Sequence, residues 1–126
     1  MDPITVIMGA LSVAGPFAKP IADQAVRDGY AVLKSLIVQR FAPKDPSVET
    51  NLAKFEQKPE VWKEPLRDAL REAGADNDQE VVDSATELVK KAEAAQPGIS
   101  GGLVGQINAA GGKVIVISGN VTTLNV

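Results

Sequence analysis

Apolar residues recur at three- and four-residue spacing along most of this chain, and near residue 98 the period changes. From Pro20 to Phe41, Val26, Tyr30, Leu33, Ile37 and Phe41 fall on one stripe, which predicts an amphipathic helix. Asp23, Arg27, Asp28, Lys34 and Arg40 lie mostly off that stripe. Gly29 sits mid-helix at a cost of about 1 kcal/mol relative to Ala. Close packing on a neighbouring helix explains it more simply than a hinge does.

The same pattern predicts three further helices. Val48, Leu52 and Phe55 mark a short one from Pro46 to Gln57. Trp62, Leu66, Ala69, Leu70 and Ala73 mark another from Pro59 to Ala73, with Gly74 placed to end it in a left-handed cap. Pro65 falls in its first turns, where it is tolerated. Val81, Val82, Ala85, Leu88, Val89 and Ala92 mark the last, from Asp78 to Ala95, stopped by Pro97-Gly98. Acids lead this helix and Lys90-Lys91 close it, as the helix dipole favours.

The first segment differs. Asp2-Pro3 is a helix start, with a capping residue before a Pro at the first helical position. Ile4, Val6, Ile7, Met8, Leu11 and Val13 then make it apolar nearly all round. Such a helix has to be covered by the domain, a partner or lipid. Its uncharged run ends at Lys19, between Pro16 and Pro20, short of the roughly 20 residues a membrane span needs. It also lacks the basic start of a secretory signal. The expectation is a soluble, cytoplasmic protein.

Beyond residue 98 the pattern is that of strands. The stretch GISGGLVGQINAAGGKVIVISGNVTTLNV has Lys113 as its single charge and holds most of the glycines. Leu103 to Asn108 is a candidate strand, Ala109 to Gly112 a turn, and Lys113 to Ser118 the strongest strand. In that strand Val114, Ile115, Val116 and Ile117 are all β-branched. Gly119-Asn120 is a hairpin-type turn before a third strand from Val121 to Val126. A Val-Ile-Val-Ile run is apolar on both faces, and one small hairpin cannot cover both. The cover comes from the helices, from other copies of the chain or from a partner.

The expected fold is therefore mainly α: a bundle of four to five helices over residues 1–97, then a short β segment over 98–126.

Composition narrows the function. The chain has 126 residues, no Cys and no His, which removes disulfides, thiolate nucleophiles, the Ser-His-Asp arrangement and most zinc sites. Net charge is −3, and every acid precedes the tail. No basic block with interleaved aromatics points to nucleic acid. Asp76, Asp78, Glu80 and Glu87 have the spacing of a calcium loop, but Val81 stands where that loop needs Gly, so an acid-rich helix start is the simpler reading. Gly101, Gly102 and Gly105 lack the Gly-Lys-Ser/Thr of a phosphate loop. Tyr30 and Trp62 lie on apolar stripes and read as core. No cofactor, metal or catalytic group is expected.

Two stretches resemble known families. MDPIT, QAVRDGYAVLKSLIVQRF and LREAGADNDQEVVDSATELVKK resemble short helical modules of bacterial and cyanobacterial conflict or immune-like systems. The tail resembles the amyloid-type signalling motifs of bacterial and fungal defence proteins, including relatives of the RIP homotypic interaction motif. Of that motif's Val/Ile-Gln-Val/Ile-Gly core, Gln106 and Ile107 match, while Gly105 and Asn108 depart. The resemblance implies an adaptor or recruitment role.

These readings lead to a non-enzymatic assembly module, a homo-oligomer or filament, or a partner of a protein with a similar tail. The expected contact residues are Leu103, Gln106, Ile107, Val114, Ile115, Val116, Ile117, Val121 and Leu124. The alternative is a membrane-active effector that uses the apolar N-terminal segment.

Overall fold

The computed structural model describes residues 2–15, 23–112 and 114–116. Among these it contains six α-helices and one 3-10 turn: α1 (Pro3–Ala14), α2 (Gln24–Phe41), α3 (Ser47–Gln57), α4 (Pro59–Ala73), the turn Ala75–Asn77, α5 (Gln79–Ala95) and α6 (Leu103–Ala109).

Helix α1 begins where Asp2 and Pro3 predict. The Asp2 carboxylate accepts the Ile4 N–H at 3.0 Å, and Pro3 needs no partner for a missing N–H. The apolar surface of α1 is covered by protein. Ile4, Val6, Ile7, Ala10 and Leu11 have no exposed surface, and α1 packs on α5 above all, then on α4 and α2. No helix among the described residues is long and apolar enough to cross a membrane.

The predicted stripes face the core. Val26, Tyr30, Leu33, Ile37 and Phe41 of α2 are all buried, as are Val48, Leu52 and Phe55 of α3. Asp23 caps α2 through the N–H groups of Ala25 and Val26, so the helix starts at Gln24; residues 16–22 lie outside the described set. Helix α2 lies on α5, and the contact runs through Gly29. A Cβ there would sit 3.0 Å from Leu88 Cδ1, so the glycine serves close packing.

Helices α3 and α4 pack on each other across a single linking residue, Lys58. Leu66, Ala69 and Leu70 of α4 are buried. Trp62 is half-buried, its ring covered by Lys54 Nζ at 4.4 Å from the centroid. Gly74 adopts φ 85° and ends α4 in the predicted left-handed cap. Tyr30 reaches from α2 to Glu56, which also pairs with Lys34 at 2.9 Å. Burial first, and then the bond to Glu56 and its charge, push the Tyr30 hydroxyl far above its ordinary pKa.

Asp78 caps α5 through Glu80 N and Val81 N and pairs with Arg40, which also binds Glu80. The acids with calcium-loop spacing thus include a helix cap and an ion-pair partner.

The C-terminal segment departs from expectation. Leu103 to Asn108 is not a strand; it lies in α6. Its apolar residues satisfy both periods, and in so short a run pattern does not discriminate. Tertiary packing selects the helix, because Leu103, Val104 and Ile107 share one helical face and pack on the core together. The expected turn at 109–112 is the end of this helix. Gly112 N–H bonds Ile107 C=O at 2.9 Å and Gly111 N–H bonds Asn108 C=O at 3.0 Å. With Gly111 at φ 93° this is a Schellman cap. Residues 114–116 are outside any helix and form no strand ladder with other described residues. The remainder of the expected central strand, with Ile117, and the third strand, with Val121 and Leu124, lie outside the described residues.

Candidate functional site

The region with most of the expected contact residues is α6 and the arm that follows it, both laid against α5. Polar side chains of α5 position it at three points.

Glu93 holds the entry to α6. Its carboxylate accepts N–H bonds from Gly98 and Ser100 and the Ser100 hydroxyl at 2.7 Å. Ser100 Oγ in turn accepts the Val104 N–H at 3.3 Å, near the start of α6. The Gly98 N–H, and then the Ser100 hydroxyl and N–H, hold the Glu93 carboxyl below the usual carboxylate pKa.

Helix α6 then seats on the bundle. Leu103 lies over Gly9 of α1, where an added Cβ would clash with Leu103 Cδ2. Ile107 is fully buried. Gln106 is exposed and lines a cleft of about 290 Å³ that also includes Ser12, Lys63 and Arg67.

Past the Schellman cap, Lys90 Nζ donates to Gly112 C=O at 2.6 Å. Val114 enters the core at 2% exposure, Ile115 turns outward at 60%, and Val116 packs partly on the core. This in–out–in alternation is that of extended backbone. Gln79 meets the arm edge-on. Its Nε2 donates to Val114 C=O at 2.8 Å, and its Oε1 accepts the Val116 N–H at 2.8 Å. The second Nε2 hydrogen goes to Asp83 at 2.8 Å. A carboxylate only accepts, so Asp83 fixes which end of the amide faces which backbone group.

The structure thus brings Leu103, Ile107, Val114 and Val116 together on the core and leaves Gln106 and Ile115 outward. Ile117, Val121 and Leu124 lie outside the described residues. Sequence reasoning missed Gln79, Lys90 and Glu93 as partners of this segment. Each is an ordinary polar residue of an amphipathic helix, and no local pattern marks it. Among the described residues no group of three or more acids is arranged to hold a metal ion.

No curated protein and no solved structure matches the chain. A family model described as the Het-E N-terminal domain matches residues 1–124. That match spans all six helices and the arm, and it agrees with the helical conflict-system module that the body resembles. This chain therefore belongs to the Het-E N-terminal domain family.

Proposed function

We propose that the chain is a non-enzymatic, cytoplasmic interaction module of an incompatibility or defence signalling system, and that it self-associates through β pairing of the segment that follows α6. Family membership supports the signalling role. One observation carries the mode of association: Ile115 is 60% exposed on an extended arm, and its N–H and C=O bond no other described residue. An outward β-branched side chain, on extended backbone whose groups bond no described residue, can template another strand. The partner is a second copy of the chain or a protein with a similar tail.

Light scattering tests the reading. Wild type should form assemblies at about tens of micromolar, the range of weak association. Ile115→Lys should lower the mass and leave the helical circular-dichroism signal unchanged, because Ile115 is outside the core. A wild-type chain that stays monomeric under these conditions overturns self-association.

A further inference from the structure

We propose that Gln79, backed by Lys90, is a latch that keeps the arm from pairing with other chains; the inference rests on the assembly reading above. In a parallel ladder, one residue of the neighbouring strand donates its N–H to the C=O of residue i−1 and accepts the N–H of residue i+1. Gln79 does both with a side chain. Its amide donates to Val114 C=O and accepts from Val116 N–H, each at 2.8 Å, and so spans the position opposite Ile115. The Gln79 amide takes the place of one residue of a parallel partner strand.

The consequence is directional. A stacked, in-register assembly uses both backbone edges of every chain. A latched chain offers at most its Ile115 edge, so it can cap a stack and extends one only after Gln79 lets go. Asp83 fixes the orientation of the Gln79 amide at 2.8 Å. Lys90 bonds Gly112 C=O at 2.6 Å, and Val114 is buried at 2% exposure, so the arm cannot slide along α5. Gln79 is the first residue of α5, where Ala is a good helix former. It can therefore be changed without breaking the bundle.

The test uses the full chain as wild type, Gln79→Ala, and Gln79→Ala with Lys90→Met. Two quantities are read at equal concentration: hydrogen exchange at the Val116 amide and the lag before light scattering rises. Helical circular dichroism and the melting midpoint serve as controls for the fold. Gln79→Ala should speed Val116 exchange by about 5–30-fold, the range for loss of one or two weak interactions. It should also shorten the lag, and the double variant should go further on both counts. Equal Val116 exchange in wild type and Gln79→Ala overturns the latch itself. Faster exchange with an unchanged lag overturns its restraint on assembly while leaving assembly intact. If no variant assembles at any concentration, the assembly reading fails and autoinhibition falls with it, while the exchange data still show whether Gln79 holds the arm.

Discussion

Helices α1 to α5 hold one another through interlocking apolar faces, whereas α6 and the arm depend on a few polar side chains reaching out from α5. On the bundle side, whole stripes are buried, from Ile4 to Leu11, from Val26 to Phe41 and from Val81 to Ala92. On the other side, Ile107 and Val114 are the buried anchors, Leu103, Val104 and Val116 pack partly on the core, and Glu93, Lys90 and Gln79 add hydrogen bonds to backbone. Apolar burial is worth roughly 1.5–3 kcal/mol per side chain, while a hydrogen bond is worth a net of about 0.5–1.5 kcal/mol. The difference teaches that one chain can contain two levels of stability. On this basis the bundle should open as a whole, and the C-terminal segment should lift off at lower cost.

The largest expected effect is inside the bundle. Leu88 is 1% exposed and fills the space left by Gly29. Leu88→Ala should lower stability by about 2–5 kcal/mol, the usual range for a buried leucine, read from the urea midpoint. A second change, Gly29→Ala, should be better tolerated in that background than in wild type, because the Leu88 side chain that it crowds is gone.

A smaller effect is expected at the anchor of α6. Ile107→Asp should undock α6, because an unpaired carboxylate is not accommodated in the core, and the cost is limited to that of releasing the segment. Amides of residues 103–109 should lose exchange protection while those of α1 to α5 keep theirs. If the whole bundle loses protection instead, the two regions form one cooperative unit and the comparison breaks.

The smallest effect sharpens the comparison through pH. The Glu93 carboxyl is held below its ordinary value of 4.5. A depressed pKa means that its stabilising contribution is fully present above the ordinary value and is lost as pH falls through the depressed one. Exchange at Gly98, Ser100 and Val104 should therefore accelerate on acidification once intrinsic rates are divided out. Glu93→Gln should remove most of that dependence and leave the melting midpoint nearly unchanged. A large fall in the midpoint would place Glu93 among the supports of the bundle itself.

The helices were legible in the sequence because their signals are local. Asp2-Pro3, Asp78 and Gly74 set ends through bonds within a few residues of themselves, and each apolar stripe repeats at the helical period whatever it packs against. The α4 bounds, Pro59 and Ala73, follow from that pattern alone. Leu103 to Asn108 was not legible, because Leu103, Ile107 and their neighbours are equally apolar under either period in so short a run.

By itself, then, the sequence determined that this is a mainly helical chain with one apolar and four amphipathic helical segments and a β-branched end with a single charge. Those features arise from interactions across one turn of backbone. Only the tertiary structure decided that Leu103 lies over Gly9, that α6 is therefore a helix, and that Gln79 meets Val114 and Val116. These partners are far apart along the chain, and a glutamine at the start of a helix bonds a distant backbone only where packing of the whole bundle brings the two within reach.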